Sequence, residues 1–141
     1  ATIADFCFAV PEAKFGYPEV KMGFVPSIVA LFLKRKIGGK ARPLLLSGDS
    51  ISAEKAVNIG MIYELVEADK IEERTWEYAQ HLCHTNSPQA MALTKQLLFR
   101  IQNMNFGEAF AYTAQQNVDA RLTDDCKKGV QDFLDKKAIE W

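Results

Sequence analysis

Cysteine is scarce in this sequence. Cys7, Cys83 and Cys126 are widely spaced and odd in number, which argues against a disulfide scaffold and fits free thiols in a reducing compartment. No apolar run approaches the roughly 20 residues a helix needs to cross a bilayer, so a membrane partner is not expected. Neither sign of charge dominates. The 17 basic and 18 acidic residues are mixed along the chain, the net charge is -1, and no basic stripe offers the footprint of a nucleic-acid binder. The glycine patterns of Walker and dinucleotide-binding loops do not occur. Internal repeats, low-complexity tracts and linkers are also lacking. The opening residues show no charged region followed by a cleavage site, so they do not read as a signal peptide. These absences leave the expectation of a soluble, cytoplasmic protein.

What is present fits one domain of ordinary size: 141 residues, 48% apolar and 25% charged, a globular balance and not a disordered one. Thr2 to Val10 form a nearly continuous apolar run ended by Pro11, which predicts a strand buried on both faces, as inside a parallel sheet. Such a strand needs neighbours. The rest of the chain offers only a short piece around Phe15 and the stretch Met61 to Val66, which is too little sheet.

Helix signals follow. Ser27 predicts an N-cap for a helix to about Ile37, stopped by Gly38-Gly39. Pro43 suits the first turn of a short helix over Leu44 to Leu46 that ends near Gly48, and Ser52 caps another that ends at Gly60. From Ala68 the pattern is helical. Ile71, Ala79, Leu82 and Cys83 recur at helical spacing, and Ser87-Pro88 starts a further helix marked by Met91, Leu97, Leu98 and Ile101. Another carries Phe106, Ala109, Phe110 and Thr113, and Thr123 caps the last, with Val130, Phe133 and Leu134 on its apolar side. The expected organisation is one continuous domain, 1–66 forming a core with a loop that bears the site and 67–141 a helical region.

Glu19 is the carboxylate of most interest. It follows Pro18 in a loop between Gly16 and Gly23, crowded by Phe15, Tyr17, Val20, Met22 and Phe24. A carboxylate on a rigid, apolar loop is where burial can tune a pKa for acid/base work. The alternative is that Pro-Glu opens a helical turn and the side chain is solvated. His81, Cys83 and His84 suggest a metal only superficially: no further ligand stands at zinc spacing, and the apolar stripe passes through Cys83, so no metal is expected. Lys34-Arg35-Lys36 reads as a solvated cluster at a helix C-terminus, where cations complement the macrodipole. Lys127-Lys128 and Lys136-Lys137 are similar pairs, with phosphate contact as the open alternative. Asp5, inside an apolar run, needs a partner if it is buried and reads as structural.

The segments Ala13 to Val20 and Gly23 to Pro26, then Leu44 to Ala56, Ile59 to Ile62, Ser87-Pro88 and Asp124-Asp125 ahead of Gly129, resemble in order the enoyl-CoA hydratase/isomerase (crotonase) superfamily. F-G-x-P-E-x-x-x-G with L-x-G-x-x-I-S-A-x-x-A carries the resemblance, and Gly23 to Val29 look most like the methylglutaconyl-CoA hydratase-like branch. The resemblance implies an α/β fold, the mostly helical C-terminal portion of a ClpP/crotonase spiral whose N-terminal sheet is missing. It implies Glu19 as the catalytic acid/base and a backbone amide at Ser27 that holds the water. It further implies a substrate pocket of Tyr17, Pro18, Gly23, Phe24, Val25 and Pro26, and Lys136 near the adenosine end of coenzyme A. The family's oxyanion hole and a second hydratase glutamate belong to the N-terminal half, so this chain alone is expected to be inactive.

The parent reaction so implied is water addition or elimination across the 2,3 double bond of an enoyl thioester, in a homotrimer or dimer of trimers. No cofactor is implied beyond coenzyme A or phosphopantetheine as the substrate's handle. Isomerisation, or decarboxylation or dehydration of a polyketide-carrier thioester, remains the alternative within the superfamily. A non-catalytic helical oligomerisation module is the alternative of another class.

Overall fold

The computed structural model describes residues 1–141, which divide into two compact units, Ala1–Trp76 and Glu77–Trp141. In the first unit, β1 (Phe8–Ala9) pairs in parallel with β4 (Glu64–Leu65), and β2 (Lys14–Phe15) pairs antiparallel with β3 (Ile51–Ser52). Between them run α1 (Ser27–Ile37), α2 (Ala41–Ser47) and α3 (Ala53–Asn58). Leu33, fully buried, packs with Ile37, Ala41, Leu44, Ala56, Met61 and Ile62 into the core that joins these helices to β1 through Ala9. Glu64 accepts two charge-assisted bonds from Arg74, Nε to Oε1 at 2.9 Å and Nη2 to Oε2 at 2.8 Å, which hold its carboxyl below the usual range.

The long buried strand expected over Thr2 to Val10 is not formed. Only Phe8 and Ala9 are in a ladder, and Ile3 is 74% exposed. The reason is pairing: β4 is the one neighbour β1 has, and an apolar run without partners on both edges cannot satisfy its backbone as an interior strand. Met61 to Val66 likewise contribute two strand residues, while Met61 and Ile62 enter the core as a bend.

α4 (Ile71–Thr85) carries the chain out of the first unit, whose boundary falls after Trp76. The second unit continues with α5 (Pro88–Ile101), α6 (Phe106–Arg121) and α7 (Asp124–Leu134). Side-chain caps start each of these: Ser87 accepts from the Ala90 amide, Asn105 forms a capping box with Glu108, and Thr123 accepts from the Cys126 amide. Asp125 ties α7 to the start of α5 by accepting from the Ser87 hydroxyl at 2.5 Å and the Gln89 amide at 3.2 Å. No apolar side chain on these helices is fully buried, and Phe106 (86% exposed), Phe110, Val130, Phe133 and Leu134 face outward.

Candidate active site

Glu19 lies in a 3₁₀ turn, Pro18–Met22, rather than an irregular loop. Pro18 sets φ for the turn's first residue, and Gly23, at φ 78°, ends it in the left-handed conformation that glycine tolerates. The Phe24 amide then donates to the Glu19 carbonyl at 2.9 Å, fixing the turn's exit. A second loop braces it from beneath. A Cβ on Gly48 would come within 3.0 Å of Val20 Cγ2 and 3.2 Å of Lys21 Cγ, and one on Gly16 within 2.8 Å of Ser50 Oγ. Lys21 donates to Asp49 at 2.6 Å across the same junction and holds the Asp49 carboxyl below its ordinary range. That pair is exposed, so it registers the loops more than it stabilises them.

The turn aims Glu19 inward. Its Oε2 is buried and accepts no hydrogen bond, which is rare for a carboxylate oxygen because removal from water without a partner is costly. The helical-turn alternative is thus half right: Pro18 does open a turn, but one carboxylate oxygen, Oε2, is buried. Glu19 lines a cavity of about 490 Å³ with Val25, Pro26, Ser27, Ile28 and Phe32. Of the residues assigned to the site from sequence, Glu19, Val25, Pro26 and Ser27 come together there. Tyr17, Pro18, Gly23 and Phe24 are not part of the lining. Tyr17 packs instead on the core, its hydroxyl 3.1 Å from Thr2 Oγ1 and 4.0 Å from Met61 Sδ, and Phe24 is 66% exposed.

Ser27 is corrected in two respects. Pro26, not Ser27, holds the N-cap position of α1, and no side chain caps that helix. The Ser27 amide donates to the Val25 carbonyl at 2.7 Å, so the N–H assigned to the catalytic water is engaged within the chain. The open donors of the first turn are the amides of Ile28 and Val29, both in the cavity lining. Thr2, Ile3 and Phe32 also line the cavity and were missed. Phe32 had a sequence signal, standing four residues after Ile28 on one helical face.

The basic clusters differ from one another. Lys36 is partly buried and donates to the carbonyls of Ala1 and Ala4. Lys128 pairs with Asp132 at 3.0 Å and lies 4.9 Å from the Trp141 ring centre, and Lys137 pairs with Asp135 at 3.0 Å. Lys136, in the second unit, is exposed just beyond α7 with φ 55°. His81, Cys83 and His84 are exposed on α4.

Glu19 with its unpartnered oxygen, the first-turn residues Ile28 and Val29 and the side chain of Phe32 thus meet at one cavity, and a carboxylate so placed can take or give a proton. The family model described as enoyl-CoA hydratase/isomerase matches residues 1–141, and the chain belongs to that family of enzymes. A Thermus thermophilus protein named as a putative enoyl-CoA hydratase is 33% identical over 138 residues, which cover 97% of this chain and 54% of that protein. The trans-2-decenoyl-[acyl-carrier-protein] isomerase of Streptococcus mutans is 27% identical over 139 residues, covering 97% of this chain and 52% of that enzyme. The crystal structure of human enoyl coenzyme A hydratase domain-containing protein 3 matches with a TM-score of 0.83 at 27% identity, over 98% of this chain and 55% of that one. The fold is α/β and crotonase-like, with mostly helical content. The chain spans about half the length of the curated relatives it matches.

Proposed function

We propose that this chain is the C-terminal half of an enoyl-thioester hydratase, with Glu19 as its general acid/base. The observation that carries the reading is the buried Oε2 without a partner, on a residue that lines a cavity with mostly apolar walls. Burial without a partner is destabilising for the chain as it stands and useful to a base that must take a proton from water. In the forward reaction Glu19 removes a proton from water as its oxygen bonds to C3 of the enoyl thioester. The electron pair of the double bond moves toward the thioester carbonyl, and protonated Glu19 then returns its proton to C2, which restores both the carbonyl and the carboxylate. The amides of Ile28 and Val29 are placed to help hold the water. On this proposal the oxyanion hole, the missing sheet and a second glutamate lie in an N-terminal half, and Lys136 contacts the adenosine end of coenzyme A.

A specific observation favours a second reading, isomerisation of a carrier-bound enoyl thioester: one relative is named for that activity. Mass spectrometry of the product decides between them. The full-length gene product incubated with crotonyl-CoA is expected to yield a thioester heavier by one water. A thioester of unchanged mass with a shifted double bond would instead establish the isomerase.

The proposal extends to assembly. Phe106, Phe110, Phe133 and Leu134 leave the second unit with an apolar surface of the sort that proteins cover by association. The full-length protein is expected to be a trimer or dimer of trimers; light scattering that finds a stable monomer at micromolar concentration contradicts this.

A further inference from the structure

α1 divides its apolar residues between two duties. Leu33 and Ile37 enter the core, whereas Ile28, Val29 and Phe32 line the cavity that Glu19 also lines. Ile28 and Phe32 stand four residues apart, so they share one helix face and lie about 6 Å apart along its axis. Val25, from the segment before the helix, extends the same wall. Val25 and Ile28 are exposed and Phe32 is half-buried, so the wall keeps apolar surface in contact with water beside the carboxylate.

Among the lining side chains only Glu19 is ionisable; no lysine, arginine or histidine joins it. Lys36, one turn beyond Phe32, lies outside the lining, and its ammonium donates to the carbonyls of Ala1 and Ala4. An apolar group laid on the wall leaves water at a gain of about fourfold in binding per methylene. A carboxylate laid there loses water, meets no cation and shares the cavity with a second carboxylate.

We propose that Ile28 and Phe32 are specificity-determining residues: their face of α1 receives the acyl group beyond the reacting double bond and admits an apolar end but not a carboxylate. This rests on the acid/base reading of Glu19. Enoyl thioesters of one length can end in a methyl group or in a carboxylate, and the wall selects the first.

The test uses the full-length gene product and two substrates, trans-2-hexenoyl-CoA and the 2-enoyl-CoA of the same length that ends in a carboxylate. Wild type is expected to favour the methyl-ended substrate in kcat/KM by at least about 10²-fold, because an ion taken from water without a partner is disfavoured by that order. Phe32→Arg and Ile28→Arg should each narrow the ratio by about 10-fold to 10²-fold, since a guanidinium gives the carboxylate a charge-assisted partner. The ratio compares two substrates on one preparation, so an unfolded fraction cancels. Should Phe32→Arg fail to fold, the exposed position of Ile28 still accepts a long polar side chain. A wild-type ratio below about tenfold, or a ratio that neither variant moves, overturns the proposal. If wild type hydrates neither substrate, the hydratase reading fails by itself, and calorimetric titration with hexanoyl-CoA and its carboxylate-ended counterpart decides for the wall. Tighter binding of the methyl end, evened out by Ile28→Arg, supports it; equal binding, or none, overturns it.

Discussion

Glu19→Gln in the full-length protein is expected to lower kcat on a short enoyl-CoA by about 10²–10⁴-fold, with little change in KM. Glutamine keeps the size and planarity of the side chain but cannot take or give a proton at neutral pH. A structural glutamate would show the opposite pattern, with stability lost and activity per folded molecule retained. Here the carboxylate has a buried oxygen with nothing donating to it, so the burial of that oxygen is a cost to the fold. The Gln variant should therefore melt no lower than wild type, the signature of a residue kept for function at the expense of stability. Kinetics on both proteins, with circular dichroism to check folding, test this. A folded variant that keeps more than about a third of wild-type kcat lies far outside the expected loss and removes Glu19 from the mechanism.

The second large effect concerns the 141-residue chain alone. Crotonyl-CoA should not be turned over above background, although Glu19 and its cavity are formed. Acid/base help is a modest part of this chemistry. The developing thioester enolate needs preorganised N–H donors, and losing one such donor typically costs about 10²–10³-fold. The family resemblance puts both of them in the N-terminal half. Hydration by a purified, mass-verified preparation of this chain would show that the donors lie within residues 1–141 and would undo the proposed division of the site.

What could be read from the sequence depended on how local its cause was. Ser52, Ser87 and Thr123 were legible as caps because a hydroxyl three residues before an amide is enough to start a helix. Ser27 carried the same signal, but Pro26 occupies the N-cap position and the hydroxyl goes unused. The strand over Thr2 to Val10 failed for the opposite reason, since a strand is defined by its partners and these are distant in sequence. Within the site, Glu19, Val25, Pro26 and Ser27 gather because they are close along the chain. Phe32 follows Ile28 at helical spacing, whereas Thr2 and Ile3 join through tertiary packing, which no spacing rule reports. Tyr17 misled because its ring serves the core while its hydroxyl meets Thr2.

Gly48 has a wider consequence. It contributes nothing to the cavity lining, yet its φ of 66° disfavours a side chain and its missing Cβ leaves room for Val20 and Lys21, next to Glu19. The alignment of the carboxylate is thus encoded twice, once in the turn that bears it and once in a loop nearly thirty residues on. Divergence at that loop shifts the reactive group without touching it, so relatives that share the Pro-Glu motif need not share a geometry. Inheritance of the chemistry therefore has to be judged on both segments together.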